Sequence, residues 1–277
     1  MIALDVALGM VAAIWAGAFL RALRSKLDAS QQLGVESAQI ESGRDVAVLI
    51  PARDEVAHIE ACLLSVLDST LEGLSIYVLD DGSTDGTSEV LRRVAGAHSS
   101  VRVVQGVDEN PPGGWLGKPW ACQRAAQAAI KEQSSLKWLL FIDADVRVEP
   151  PAIGAAVAAA ESAEADLLSA LGNLELRSFW ERVFQPVVAG LILAGNDLAK
   201  VNDDVHPKGS APLANGQFML FRRAAWEAMG GHGVVAGNVL DDVGLATAVV
   251  ERGMRYRLYY AASLFRVRMY DSLAAMW

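Results

Sequence analysis

Short apolar runs alternate with helix-like segments through the first half of this chain, and this alternation constrains the fold more than any other feature. The apolar runs lie at 46–50, 74–79, 101–104 and 136–142. Between them, 56–68, 89–94 and 118–132 carry apolar residues at helical spacing. Strands that are separated by helices pair in parallel and are covered by helices on both faces. The sequence therefore predicts an α/β fold with a parallel sheet.

Acidic residues follow three of these apolar runs. They are Glu55, Asp80, Asp81, Asp143 and Asp145. The carboxyl ends of parallel strands meet at one rim of a sheet, where ligands bind. Side chains alternate along an extended chain, so we expect Asp143 and Asp145 to share a face. Two hard oxygen ligands on one face suit Mg²⁺ or Mn²⁺ shared with a phosphate. A solvated turn is the simpler interpretation of an isolated Asp-Ala-Asp, but three acidic loops on one rim favour a metal site.

Residues of three segments could contribute further chemistry to this rim. Lys118 follows a glycine-rich loop and could bind a phosphate, although an exposed residue at a helix start is the alternative. Asp80 or Asp81 could accept hydrogen bonds from a base or ribose, or could simply form a turn and a helix cap. Asp241 and Asp242 precede a helix-like segment. They are either a cap or a general base whose pKa the neighbouring carboxylate raises.

The N-terminal segment resembles a membrane anchor. Residues 6–20 are uncharged and apolar, and Arg21, Arg24 and Lys26 follow them. The length just reaches a transmembrane span, and the positive flank is expected to stay in the cytosol. We therefore predict a transmembrane anchor at 1–26, a linker at 27–43 and a catalytic domain that faces the cytosol from the cytoplasmic membrane. A cleaved signal peptide and an amphipathic or core helix are the alternatives.

The remaining composition excludes one class of partner and leaves one segment open. A net charge of −9 without a basic stripe argues against nucleic-acid binding. Cys62 and Cys122 match no metal spacing and are expected to be buried, reduced thiols. The apolar segment 179–198, interrupted by Pro186, either lies on the membrane and presents a lipid acceptor or forms a core helix pair broken at the proline. Arginines crowd the end of the chain and either bind headgroups or form a solvated surface: Arg252, Arg255, Arg257, Arg266 and Arg268.

Five segments together resemble the family 2 inverting glycosyltransferases with a GT-A fold. They read VAVLIPARDEVAHIEACLLSVL, YVLDDGSTDGT, GWLGKPWAC, FIDADV and LDDVGLA. The segments FWERVFQP, KVND and ANGQFMLFRRAAWEAMGG look similar to hopene-associated and other lipid- or carotenoid-directed members. The resemblance implies a Rossmann-like, mixed, mainly parallel sheet over 44–277, with a donor half at 44–150 and an acceptor half at 151–260. Members of this group continue into further membrane helices, so a C-terminal membrane region is expected to be missing here.

The resemblance also implies roles for individual residues. A nucleotide-diphosphate-sugar donor would contact Pro51, Arg53, Glu55, Asp80, Asp81, Lys118 and Asp143, and the metal would be held by Asp145 and Asp143. The base would be Asp242, beside Asp241. The lipid-like acceptor would lie near Asn215 and Gly216. Asp54 stands where family members commonly have asparagine. The Gln-x-x-Arg-Trp signature of processive synthases is absent after Asp242, which favours a single transfer.

Other functions remain open from the sequence. A polyprenyl-phosphate or polysaccharide acceptor is the main alternative to a hydrophobic hydroxyl acceptor. A nucleotidyltransferase would be expected to carry a glycine-rich, basic signature near its first strand, where this chain reads PARDE. A membrane-tethered scaffold with a degenerate site is disfavoured because Asp143, Asp145 and Asp242 are all present.

Overall fold

A computed structural model describes residues 31–34, 42–106, 111–195, 198, 200–206 and 211–268. The predicted anchor at 1–26 and the last residues, 269–277, lie outside this described part of the chain. Among the helices that are described, none combines the length and apolar composition needed to cross a bilayer.

The predicted alternation of strands and helices is confirmed. The strands are β1 (Val46–Ala52), β2 (Ser75–Asp80), β3 (Val101–Gln105), β4 (Trp138–Ile142), β5 (Val146–Val148), β6 (Leu167–Leu171), β7 (Asn173–Leu174), β8 (Phe218–Arg222), β9 (Tyr256–Tyr260) and β10 (Phe265–Val267). The helices are α1 (Ile59–Leu67), α2 (Thr87–Ala97), α3 (Gly117–Glu132), α4 (Ala152–Ser162), α5 (Phe179–Gly195), α6 (Arg223–Met229) and α7 (Asp241–Glu251), and a 3₁₀ helix spans Gly231–Val235.

Seven strands form the main sheet, in the order β3-β2-β1-β4-β8-β6-β9. Strand β8 runs antiparallel to β4 and β6, whereas the other neighbouring strands are parallel. The sheet is therefore mixed and mainly parallel, as the sequence resemblance implies. Because Ile142 at the end of β4 pairs with Phe218 at the start of β8, the segment before β8 reaches the same rim as the carboxyl ends of β1, β2 and β4.

Helices cover both faces of this sheet. Successive side chains of its central strands point in opposite directions, so each strand packs against helices on both sides. Val48 and Ile50 of β1 belong to a buried apolar cluster that includes residues of α1, α2 and α4. Leu49, between them, belongs to a second cluster that includes residues of α3 and α7. The continuous apolar runs of β1 and β4 are thus explained by burial on two sides.

A second, three-stranded sheet lies beside the rim. Strand β10 pairs antiparallel with β5 and parallel with β7. Strand β5 begins at Val146, directly after the Asp143–Asp145 segment, and β7 ends shortly before α5. This small sheet therefore connects the acidic turn after β4 to the start of α5.

Two expectations for the less regular segments change. Within the predicted linker, Leu33 is only 4% exposed, and its backbone N–H donates to the carbonyl of Tyr260 at 2.7 Å. Residues 31–34 therefore pack along the edge strand β9. The interpretation of 179–198 as a helix pair broken at Pro186 is wrong, because α5 continues through that proline as one helix.

Candidate functional site

A cleft of about 340 Å³ opens at the rim of the main sheet, where β1, β2 and β4 end. Seven of the eight residues predicted to contact the donor or the metal line it: Pro51, Arg53, Glu55, Asp81, Lys118, Asp143 and Asp145. The eighth, Asp80, is not among the lining residues. Segments far apart in sequence thus meet in one cavity because the parallel strands deliver their carboxyl ends to one side.

Asp143 and Asp145 lie in a tight turn between β4 and β5. The N–H of Val146 donates to the carbonyl of Asp143 at 3.1 Å, and this bond closes the turn. We expected side-chain alternation along an extended strand to align the two carboxylates. This reason is wrong, because β4 ends at Ile142 and neither aspartate belongs to the strand. The turn nevertheless directs both residues to the cleft wall.

Lys118 contacts the first of these carboxylates. Its Nζ lies 2.7 Å from Oδ1 of Asp143. Lys118 is the second residue of α3, so the positive end of the helix dipole adds to the charge of its ammonium group. A helix N-terminus combined with a lysine is an arrangement that binds phosphate oxygens.

Negative charge is concentrated in the same cleft. Burial, followed by the charges of Asp145 and Asp143, raises the pKa of Glu55 to about 7. Burial, followed by the charge of Asp143, raises the pKa of Asp145 to about 6. Carboxyl groups whose pKa values rise this far lack enough positive charge nearby to balance them.

The loop that carries Glu55 is fixed by the loop after β2. The backbone N–H of Glu55 donates to the hydroxyl of Thr87 at 2.8 Å. Asp54 has a φ of 55°, in the left-handed region, and its Oδ1 accepts a 2.7 Å bond from the N–H of Thr84. Asparagine and aspartate both tolerate this backbone conformation, which accounts for aspartate at a position where the similar family commonly has asparagine.

The two aspartates after β2 have different environments. Asp80 is buried, and its carboxylate accepts hydrogen bonds from the N–H of Ser83, at 3.0 Å, and from the hydroxyl of Ser88. These bonds hold the Asp80 carboxylate within its own turn, which agrees with the interpretation of this residue as part of a simple turn. Asp81 faces the cleft, and its carboxylate lies 3.6 Å from the guanidinium of Arg53. Of this pair, Asp81 is the residue placed to contact a ligand.

Asp242 connects α7 to the segment before β8. Its Oδ2 accepts a 3.0 Å hydrogen bond from the N–H of Gly216, and its Oδ1 accepts one of 2.8 Å from the N–H of Val243. Each carboxylate oxygen retains a further lone pair for an acceptor hydroxyl. Burial raises the pKa of the neighbouring Asp241, although Lys118 opposes that shift. The predicted base thus lies beside one of the two predicted acceptor residues.

The other predicted acceptor residue, Asn215, uses its side chain to hold this segment in place. Its Nδ2 donates to the carbonyl of Ala170 at 2.9 Å, and its backbone N–H donates to the hydroxyl of Ser169 at 2.8 Å. Both partners lie on β6. Asn215 therefore positions Gly216 against Asp242 through contacts with the neighbouring strand.

Sequence reasoning missed the small residues that shape the cleft and the polar contacts beneath it. Ala52, Gly117, Ala121 and Ala144 also line the cavity. A Cβ on Gly117 would lie 3.8 Å from Oδ2 of Asp81, so a larger side chain would narrow the cleft. Behind α3, the buried His232 accepts a hydrogen bond from Nε1 of Trp226 at 3.2 Å, and burial lowers its pKa to about 3. Only the glycine-rich segment before Lys118 gave a signal for any of these residues.

The acidic residues fit a divalent cation that a ligand helps to bind. Within the described residues, no three His, Cys, Asp or Glu side chains form a metal site by themselves. Asp143 and Asp145 offer hard oxygen atoms, and the raised pKa values of Glu55 and Asp145 reflect negative charge that a cation would balance. Mg²⁺ in particular is often held by one or two carboxylates, with phosphate oxygens completing its coordination.

The mainly parallel sheet and the acidic rim define a domain of the GT-A glycosyltransferase class. A mannosyltransferase from Pyrobaculum calidifontis, solved in complex with GDP-Man and Mn²⁺, superposes with a TM-score of 0.64 at 19% identity, covering 97% of this chain and 69% of the other. TarS 1–349 from S. aureus, in complex with UDP-GlcNAc, superposes with a TM-score of 0.55 at 15% identity, covering 84% and 60%. At these identities the similarity shows the fold.

The sequence identifies the family. Residues 43–276 match the sequence profile described as "Glycosyltransferase like family 2", and the chain belongs to this family. It is similar to the 4,4'-diaponeurosporenoate glycosyltransferase of Staphylococcus aureus (strain USA300), with 25% identity over 228 residues, 82% of this chain and 56% of the relative. The protein of the same name from Staphylococcus haemolyticus (strain JCSC1435) is 29% identical over 108 residues, 39% of this chain and 26% of that relative. The chain thus spans about half the length of the S. aureus relative.

Proposed function

We propose that this protein transfers a single sugar from a nucleotide-diphosphate-sugar to a hydroxyl group of a lipid-like acceptor, with inversion at the anomeric carbon. One observation carries the proposal. The cleft brings Lys118, Asp143, Asp145 and Glu55 together on one side, and Asp242 lies next to Gly216 on the same rim. Membership of the glycosyltransferase family and the GT-A fold support this reaction class.

The donor would bind in the 340 Å³ cleft. Arg53 and Asp81 line the part of the cleft formed by the ends of β1 and β2, where they would contact the nucleoside. Lys118 and the N-terminus of α3 would contact the diphosphate. Asp145 and Asp143 would hold Mg²⁺ or Mn²⁺, which supplies positive charge to the departing diphosphate when it is bound.

Asp242 would act on the acceptor. Its carboxylate takes the hydroxyl proton as the acceptor oxygen bonds to the anomeric carbon. The bond from that carbon to the diphosphate oxygen breaks, and the electron pair leaves with the nucleoside diphosphate. A single displacement of this kind inverts the anomeric configuration and requires no covalent sugar on the protein.

Apolar side chains beside the base support a hydrophobic acceptor. Val239 is 85% exposed, and the exposed Leu240 directly precedes Asp241. The N–H of Leu116 donates to the carbonyl of Ala236 at 2.7 Å, which holds the segment before Lys118 against the segment before Asp241. The name of the S. aureus relative, a diaponeurosporenoate glycosyltransferase, is consistent with such an acceptor. We further propose that the protein lies at the cytoplasmic membrane with its catalytic domain facing the cytosol, on the basis of the apolar segment at 6–20 and its positive flank.

A donor screen tests this function. The full chain, in vesicles that contain membrane lipid extract, is incubated with Mn²⁺ and individual GDP- or UDP-sugars, and nucleotide release is measured with and without the extract. We expect one donor to give release that depends on the lipid and a glycolipid product of inverted configuration. Release that is independent of acceptor, or no release with any donor, would contradict the proposal.

Substitution of the base separates chemistry from binding. Asp242→Asn should retain donor binding and lower turnover by roughly 10² to 10⁴. Glu251→Gln, at the other end of α7, is the matched control and should keep both donor binding and turnover. Full turnover by Asp242→Asn would remove this residue from the base role.

A further inference from the structure

Helix α5 exposes large apolar side chains and buries two polar ones, Glu181 and Gln185. Phe179 is 69% exposed, and Trp180, Val183, Phe184 and Val187 are exposed as well. Their spacing of three and four residues places these five along one side of the helix. Three of the five, Phe179, Trp180 and Phe184, form a continuous aromatic cluster, with neighbouring ring centroids 5.2 and 5.8 Å apart. Val188 and Ile192 are also exposed, but they follow Glu181 by seven and eleven residues and therefore lie on the side of Glu181 and Gln185.

The buried side of the same helix is polar. Glu181 is fully buried, and its carboxylate accepts hydrogen bonds from the N–H groups of Arg177 and Ser178 and from Nε of Arg268, at 3.0 Å. Gln185, one turn later, is also buried, and within the described part of the chain neither of its polar side-chain atoms has a hydrogen-bond partner. A helix of a water-soluble domain normally has the reverse orientation. The arrangement therefore indicates that the exposed side faces an apolar environment.

The charges of α5 favour an anionic surface. Between residues 179 and 195 the charged residues are Glu181 and Arg182. The anionic one is buried and the cationic one is exposed, whereas Arg177, just before the helix, pairs with Glu175 at 2.6 Å. Exposed apolar and aromatic side chains beside arginine are typical of helices that lie in the headgroup region of a bilayer.

The cluster of late arginines predicted from sequence offers a weaker headgroup site. Arg255 and Arg257 pair with Asp204 at 3.6 and 2.6 Å. Arg266 pairs with Glu149 and Glu175, and Arg268 pairs with Glu181. These carboxylates neutralise four of the five arginines, so α5 is the better candidate for contact with a membrane.

The connections of α5 place it near the acidic turn. The helix follows β7, which pairs with β10, and β10 pairs with β5 directly after Asp145. An apolar surface attached to this part of the rim would hold the cleft close to molecules dissolved in the bilayer.

We propose that α5 lies in the interface of an anionic lipid bilayer, with its exposed apolar side among the headgroups and upper acyl chains. This docking holds the rim of the main sheet close to lipid-like acceptors. The inference rests on the proposed function for the identity of the acceptor, but its contact with the bilayer is measurable without any transfer.

A site-specific probe tests the contact. Cys62 and Cys122 are buried, so a cysteine introduced at Val187 can be labelled selectively with nitrobenzoxadiazole in the full chain. Ser135→Cys, in the exposed connection between α3 and β4 at the opposite end of the sheet, is the control. The labelled proteins are placed in vesicles of phosphatidylcholine with or without phosphatidylglycerol. Quenching is measured with aqueous iodide and with nitroxide-labelled lipid.

We expect the label at position 187 to be quenched by the nitroxide lipid, more strongly with phosphatidylglycerol, and to lose roughly tenfold in iodide quenching relative to position 135. Equal iodide quenching at both positions would overturn the proposal. Shielding from iodide without quenching by lipid would also overturn it, because a protein surface, such as a second copy or the N-terminal segment, would then cover α5.

Activity distinguishes this inference from the proposed function. The double substitution Val183→Asp and Val187→Asp should raise KM for an acceptor in the bilayer by about tenfold or more, with unchanged affinity for the nucleotide donor. Val205→Asp, at another exposed valine, should change neither value. An unchanged KM in the double variant counts against α5 docking while leaving transfer intact. Lipid quenching at position 187 without transfer from any donor would instead contradict the proposed function alone.

Discussion

Gly216 lies between the candidate base and the candidate phosphate-binding lysine. A Cβ at this position would lie 3.4 Å from Cβ of Asp242 and 3.6 Å from Nζ of Lys118, which are ordinary contact distances. Gly216→Ala should therefore fold with nearly unchanged stability. Its methyl group would occupy the space between donor and acceptor, and turnover should fall by roughly 10²-fold, as for small misplacements of reacting groups.

Thermal unfolding and lipid-dependent nucleotide release measure the two effects of Gly216→Ala. Gly96→Ala in α2, where a Cβ meets nothing within 4 Å, is the control. It should leave activity unchanged and raise stability by up to about 1 kcal/mol, because alanine favours a helix more than glycine does. Wild-type turnover in Gly216→Ala would show that reacting groups do not meet beside this residue.

Glu55 gives the stability of the protein a specific pH dependence. Burial, followed by the charges of Asp145 and Asp143, raises its pKa from 4.5 to about 7 in the folded state. The folded protein therefore holds this proton more tightly than the unfolded chain, and stability falls as pH rises between these two values. Relative to Glu55→Gln, the wild type should lose about 1 kcal/mol between pH 5 and pH 8 after allowance for solvent screening.

Urea unfolding of the wild type and of Glu55→Gln at both pH values, with chelator present, tests this prediction. Glu251→Gln controls for the loss of any single carboxylate. A stability difference between wild type and Glu55→Gln that stays constant with pH would show that the Glu55 carboxyl has an ordinary pKa.

At the scale of elements, a capping box starts α5. The N–H of Glu181 donates to the hydroxyl of Ser178 at 3.2 Å, and the Glu181 carboxylate accepts from the N–H of Ser178. Glu181→Ala should fray the first turn of α5 and leave Arg268 without its partner. We expect amide hydrogen exchange in that turn to rise by about tenfold, as measured by mass spectrometry. Glu161→Ala, near the end of α4, is the control and should leave amide exchange in α5 unchanged. Unchanged exchange in Glu181→Ala would show that the capping box does not stabilise the first turn.

The sequence predicts the donor side better than the acceptor side for a physical reason. The strands β1, β2 and β4 are continuous apolar runs, and each is followed by its acidic residues within a few positions. Strand β8 is antiparallel, and its partners β4 and β6 lie far from it in the sequence, so no local pattern predicts its place in the sheet. The apolar pattern of α5 is visible in the sequence, but the sequence does not show which side of the helix is exposed. Periodicity defines a stripe of apolar residues and does not say what covers that stripe.

The same limit applies to single side chains. Asp80 and Asp81 are adjacent and chemically alike, yet Ser83 and Ser88 hold the first within its turn and leave the second to the cleft. Asp143 and Asp145 reach the cleft through a turn that no alternation rule describes. Residue type and strand position thus predicted the rim. The orientation of each carboxylate depended on hydrogen bonds from neighbouring loops.

At the scale of the whole molecule, donor and metal binding should stabilise the fold together. Either ligand alone meets an incomplete site, because carboxylates repel a diphosphate and two carboxylates hold a divalent ion weakly. Mn²⁺ with GDP or UDP, at about 100 times the dissociation constant, should add about 2.7 kcal/mol and raise the Tm by roughly 5–10 °C. Asp145→Asn should abolish this shift, whereas Asp68→Asn, at the exposed end of α1, should retain it. The shift should also shrink as pH falls through about 6, where Asp145 takes up a proton that competes with the metal. An equal shift with nucleotide and chelator would show that the carboxylates do not act through a metal.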